Sequence, residues 1–240
     1  MDILELRPLV IFLIEIGLAY YVFRYGVKFK NMIALFLVFL AGYQLGEFII
    51  LQSSESSIGY QIAFFSTTML PPFGIFLIER IEKKFYGGII ALVASTFFAV
   101  GFLLYPDALQ LVEKCACFAK FAPRDGMTTF TTAWGLYYVS ALTYAMVLAL
   151  YLHITETAKL RKMVLLNIFY AYVFFFPLSY LLIVVFNMDI SYIISVMCSL
   201  GLIGGIGIFR LGMDMGYKPQ DKKKKGEMLK ASKRSLRGKK

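Results

Sequence analysis

Seven apolar runs set the limits of what this chain can fold into. They cover roughly 7–24, 31–52, 58–80, 86–105, 130–154, 163–186 and 189–210. A helix needs about 20 mostly apolar residues to cross the hydrocarbon of a bilayer. The runs are continuous and long, not alternating segments of about ten residues, so a transmembrane barrel is excluded. Mean hydropathy is +0.70 over 240 residues, above the range of a soluble domain of this size. The expected fold is an all-α membrane protein, a seven-transmembrane helix bundle, with no clear repeat of the kind that builds transporters from duplicated halves.

Orientation follows from the basic residues, which gather on the cytoplasmic side of short connections. Arg24, Lys28 and Lys30 follow the first run, Arg80, Lys83 and Lys84 the third, and Lys159, Arg161 and Lys162 the fifth; twelve more lie from Arg210 onward. With seven spans all of these share one side, leaving Arg7, Lys114, Lys120 and Arg124 on the other. The N-terminus is therefore expected outside and the C-terminus in the cytoplasm. Residues 106–129 form a long extracellular loop, expected to lie as a lid partly over a pocket. Residues 211–240 form a basic cytoplasmic tail. The start, MDILELRPL, lacks the flank of a cleavable secretory leader.

Two carboxylates fall inside the runs, Glu15 and Glu47. A charged group in hydrocarbon costs roughly 2.5–3.5 kcal/mol on insertion scales, and such residues are functional by default. On a helix Tyr43 and Glu47 share a face, and Gln44 joins it. The outer half also holds Gln61, Trp134, Tyr137, Tyr138, Tyr180, Ser191, Tyr192 and Ser195. One reading is a pocket open to the exterior, with Glu47 as its strongest charge. The other is an interfacial aromatic belt around a structurally bonded acid. Gly42 and Gly46 form a G-x-x-x-G pair suited to close helix approach.

The third run contains STTMLPPFGIFLIE. Pro71 and Pro72 lack the N–H groups that the Thr67 and Thr68 carbonyls would otherwise accept. A kink is expected there, with threonine hydroxyls or water re-satisfying the backbone. Such a kink can couple an outer pocket to the inner face.

The run IGYQIAFFSTTMLPPFGIFLIE, with LAGYQLGEF before it, resembles the seven-helix N-terminal sensor region of prokaryotic histidine kinases. In that family an acidic residue often ends a polar stretch of the second helix, matched here by Glu47. An L-P-P followed by an aromatic marks the third, matched by Leu70, Pro71, Pro72 and Phe73. The resemblance covers residues 1–210, and its specific part is 41–80. It implies a multi-pass protein of a prokaryotic plasma membrane that senses an extracellular or membrane-borne ligand. Two departures bear on output. The second helix lacks the family's frequent tryptophan. No phosphoacceptor histidine or ATP-binding element follows the seventh run, so a separate output protein is implied.

Other chemistries are poorly served. The seventh run has no lysine for a retinal Schiff base. His153 stands alone, without a zinc motif. No paired intramembrane aspartates, G-x-S-x-G or phosphate loop occurs. The expectation is no enzyme, no catalytic residue, no metal and no cofactor. Cys115, Cys117 and Cys198 do not make a disulfide framework, though a strained Cys115–Cys117 bridge stays open. The formal charge of +10 is concentrated in DKKKKGEMLKASKRSLRGKK, which suits anionic lipid headgroups and not a nucleic-acid surface; Ser232 and Ser235 lie there as modifiable hydroxyls.

Three functions are thus weighed. The first is a receptor-like sensor of a small molecule or lipid that signals to a separate partner. The second is a small proton-coupled transporter or ion pathway, whose inner half has only Asn167 and Glu79 to offer. The third is a structural subunit of a membrane complex.

Overall fold

The computed structural model describes residues 6–25, 30–53, 56–82, 86–115 and 118–214. Lys28, Lys83, Lys84, Cys117 and the tail from 215, with Ser232 and Ser235, lie outside the described residues. Among these residues eight α-helices form: α1 Arg7–Tyr25, α2 Lys30–Gln52, α3 Ser57–Glu82, α4 Tyr86–Leu104, α5 Thr128–Thr155, α6 Lys159–Phe175, α7 Pro177–Val185 and α8 Ile193–Asp214. Six stretches are long and apolar enough to cross a membrane, the sixth being α6 and α7 together over Arg161–Val185. The apolar part of α8, Ile193–Gly207, is shorter, but its 22 residues span about 33 Å at 1.5 Å per residue.

The faces explain the packing. In α1 the buried positions are Pro8, Ile11, Glu15, Ala19 and Val22, one stripe at helical spacing. In α4 the stripe Gly88, Ala91, Ser95, Phe98 and Phe102 is buried. Tyr86, Ile90, Val93, Phe97, Val100 and Leu104 on the opposite face are exposed. A continuous apolar face of this size is untenable in water for a monomer. It is the pattern of a multi-pass membrane protein. Helices α2 and α3 sit at the centre; α1 and α8 pack on α2, α4 and α5 on α3, and α6 bridges α5 and α8.

The G-x-x-x-G pair is consumed within the chain. A Cβ on Gly46 would lie 2.5 Å from the Ala63 nitrogen and 2.7 Å from the Gly59 carbonyl. The α2–α3 contact thus needs backbone-to-backbone approach.

Two features depart from the sequence expectation. The 106–129 connection is not a plain loop. Strands β1 Leu109–Cys115 and β2 Phe118–Pro123 pair antiparallel, with Leu111 opposite Phe121 and an irregularity between Leu111 and Glu113. Ala119 and Phe121 are buried, with Lys120 between them on the other face, so the hairpin plugs into the bundle end as a half-buried strand should. Secondly, the sixth run is broken at Phe176. Pro177 has no N–H for the Val173 carbonyl, and the chain restarts as α7 with Pro177 in its first turn. Helix α3 is continuous through Pro71 and Pro72, for reasons that lie in its neighbours.

Candidate functional site: a buried ion pair beneath the hairpin

Glu47 lies one and a half turns from the end of α2 and is 0% exposed. Its Oε1 accepts from Arg7 Nη2 at 3.2 Å and, more closely, from the Ser195 hydroxyl. Ser195 in turn accepts from the Ala119 N–H at 3.2 Å, and Arg7 Nη2 reaches the Ser195 oxygen at 3.4 Å. One carboxylate oxygen therefore joins the first residue of α1, the C-terminal part of α2, the first turn of α8 and β2. Each partner satisfies another that would be costly to bury alone. Among the described residues Arg7 is the cation of this network, and its side chain is 19% exposed.

Tyr43 and Gln44, one turn further into α2, are also fully buried. The sequence-inferred face Tyr43–Gln44–Glu47 therefore points into the bundle. It does not open to the exterior, because the hairpin closes it. Glu15 lies two turns from Arg7 on the same face of α1. It is fully buried, and neither of its carboxyl oxygens has a hydrogen-bond partner.

The remaining predicted residues separate into other places. Trp134 Nε1 donates to Thr68 Oγ1 at 2.9 Å, and that hydroxyl donates to the Phe64 carbonyl at 2.6 Å. The Thr68 carbonyl, stripped of its partner by Pro72, accepts from Ser95 Oγ of α4 at 2.9 Å. Ser95 also contacts the Tyr137 hydroxyl, which donates to the Ala91 carbonyl at 3.1 Å. Trp134 and Tyr137 are thus fasteners for the proline region, across α3, α4 and α5. Gln61 Nε2 donates to the Leu103 carbonyl in the last turn of α4 at 2.9 Å. Tyr180 is 54% exposed on α7 and joins none of these groups. Tyr138 and Thr67 line a crevice with Trp134.

The hairpin has its own anchors. The Leu111 N–H donates to the Tyr60 hydroxyl at 2.9 Å. Lys120 Nζ pairs with Asp189 at 2.9 Å, and with Glu113 at 3.7 Å. Asp189 also accepts from the Ser191 N–H at 2.9 Å and hydroxyl at 2.6 Å. Those Ser191 bonds, then Lys120, hold the Asp189 carboxyl below the usual range; Asp189 holds the Lys120 ammonium above its own.

At the opposite end Glu79 caps α4. Its two oxygens accept from the Gly87 and Gly88 N–H groups at 2.8 and 2.9 Å, where unpaired helix donors favour an anion. Among the described residues no group of three His, Cys, Asp or Glu is placed to hold a metal.

Ser195 was among the polar groups that sequence reasoning placed at the level of Glu47, whereas Arg7 was not assigned to that site. Arg7 had a usable signal: with α1 starting and α2 ending on one side, it is the nearest cation in sequence at the level of Glu47. Ala119 had none, since it contributes only its backbone. No family model matches the chain, and no curated protein matches it.

Proposed function

We propose that this chain is a receptor-like membrane sensor, with its N-terminus outside, its basic tail cytoplasmic, and its readout passed to a separate protein. The observation that carries this reading is the Arg7–Glu47–Ser195–Ala119 network. A buried ion pair is a weak source of net stability, because desolvation offsets most of the attraction. Its best-attested use is to fix one arrangement among alternatives. Here it fixes the hairpin and two helix ends against α2, so whatever separates it releases the whole outer end. The polar fasteners at Pro71 and Pro72 give α3 a place to respond. The resemblance of residues 41–80 to kinase sensor regions points the same way, and a small molecule or lipid arriving at the outer half is the stimulus.

The carrier reading draws on Glu15, an intramembrane acid without a partner. It is weakened by Glu79, whose two oxygens are taken up by the start of α4. The subunit reading loses its main motif, since Gly46 serves α2–α3 contact.

The test is thermal unfolding of detergent-purified protein against a broad panel of small molecules and lipids, with Glu47→Gln in parallel. A compound that raises the midpoint in the wild type and not in the variant is the expected result. Solute or proton flux into reconstituted vesicles, with no stabilising compound found, would sink the sensor in favour of the carrier.

A further inference from the structure

An open groove of about 390 Å³ runs between α1 and α2. Ala19 and Ala34 are its buried floor. Tyr20 and Phe23 on one side, and Leu35 and Val38 on the other, are its exposed walls. We infer that this groove seats one acyl chain of an anionic phospholipid, whose phosphate is held between Arg24 and Lys30. The site lies at the opposite end of these helices from Glu47, and it does not rest on the sensor reading.

Three observations carry the assignment. The first is shape. The groove is open to its surroundings, so it does not enclose a compact solute; in a bilayer it is filled by lipid chains. From Asn31 to Val38 it follows α2 for about 10 Å at 1.5 Å per residue. The hydrocarbon of one leaflet is about 15 Å deep, half of the roughly 30 Å core, so the walls follow a chain over most of that depth. The second is the placement of charge. Arg24 lies one turn beyond Tyr20 on α1, and Lys30 one turn before Ala34 on α2, so each wall ends in a cation at the same end of the groove. Lys30 Nζ lies 5.7 Å from the centroid of the Phe23 ring, which sets the ammonium over a wall residue at the mouth. Asn31, exposed at that mouth, adds a neutral donor. The third is the want of a counter-ion. Arg7, Lys120, Arg124 and Arg161 each pair with a carboxylate, whereas among the described residues Arg24 and Lys30 pair with none. A phosphodiester supplies that anion. An isologous contact with a second copy would instead set the two cations against their own duplicates.

The experiment reads lipid contact from tryptophan quenching in the full-length protein, reconstituted into vesicles of phosphatidylcholine and phosphatidylglycerol with bromine on the chains of one or the other. Tyr20→Trp puts a reporter in the groove wall. Ile90→Trp puts one on the exposed face of α4, one turn from that helix's start as Tyr20 is about one turn from the end of α1. Trp134 is the native chain's only tryptophan, and its emission is subtracted from both. At Tyr20→Trp, phosphatidylglycerol is expected to outcompete phosphatidylcholine by about five-fold or more, the worth of one basic group at an anionic surface. Arg24→Gln with Lys30→Gln is expected to bring that ratio to parity and to leave the ratio at Ile90→Trp unchanged, the basic tail being present throughout. Parity at Tyr20→Trp in the otherwise native chain overturns the assignment. So does a preference that survives the double substitution, or one that falls equally at Ile90→Trp, as general surface charge would give. A Tyr20→Trp reporter that neither brominated lipid quenches gives the groove to a second copy of the chain, and overturns the lipid.

Discussion

At the scale of single residues, the cost of an intramembrane carboxylate is met by a partner far away in sequence. Arg7 and Glu47 are 40 positions apart, Glu47 and Ser195 are 148 apart, and no local pattern joins them. The helical face Tyr43–Gln44–Glu47 was legible from spacing alone, because 3.6 residues per turn dictates it. What it meets depends on which helix ends gather at one level, which is tertiary information. Arg7→Met is expected to destabilise by about 2–3 kcal/mol, since it leaves a buried charge without its cation. Adding Glu47→Gln is expected to recover most of that loss, as measured by chemical unfolding in detergent. Additive losses would show that the two side chains do not act on one another. Gly46→Ala is expected to cost about 1–3 kcal/mol, because its methyl meets backbone that cannot yield. Gly42→Ala, which meets only the Ser66 side chain, is expected to cost less.

At the scale of elements, prolines have opposite outcomes in two helices. Pro177 divides α6 from α7, whereas α3 runs through Pro71 and Pro72. The difference lies in the neighbours: Ser95 and Trp134 supply donors to the Thr68 carbonyl and hydroxyl. The prolines were legible in the sequence; the donors were not, being on other helices. Ser95→Ala is expected to cost about 1–2 kcal/mol. In a Pro72→Ala background, where the Thr68 carbonyl regains an N–H four residues on, the same change should cost much less. Equal losses in both backgrounds would refute this account of the helix. The hairpin shows the converse limit. Its alternation, Ala119 and Phe121 inward with Lys120 between, is only a few residues long and flanked by apolar helices, so period alone does not call it out. Its anchoring depends on pH with a definite sign. Asp189 is held below its ordinary value of 3.8, so the pairing is complete above that pH and is lost as pH falls through the lower folded value. Lys120 is held above 10.5, so its contribution is complete below that pH and is lost as pH rises through the higher folded value. Protection of the β2 amides, taken relative to the intrinsic exchange rate at the same pH, should stay flat between those bounds and fall outside them. Asp189→Asn should abolish the acid limb, while unchanged protection at low pH in the wild type would remove this anchor from the account.

At the scale of the whole molecule, the bundle was the most legible feature, because each span must satisfy its own backbone and shield it with apolar side chains. The basic connections predict that a cysteine introduced at Arg124 reacts with an impermeant thiol reagent added outside intact cells. One introduced at Arg161 should react only after permeabilisation. Reversed labelling would invert the proposed orientation. The Glu47 network also imposes an order on biogenesis. Ala119 precedes Ser195 by 76 residues, and Glu47 precedes it by 148. At about 5–20 residues per second, Glu47 waits roughly 7–30 s for its hydroxyl. For the last 76 residues of that interval Ala119 has been made but lacks its Ser195 partner. A chain stalled before α8 therefore carries Glu47 without its Ser195 partner.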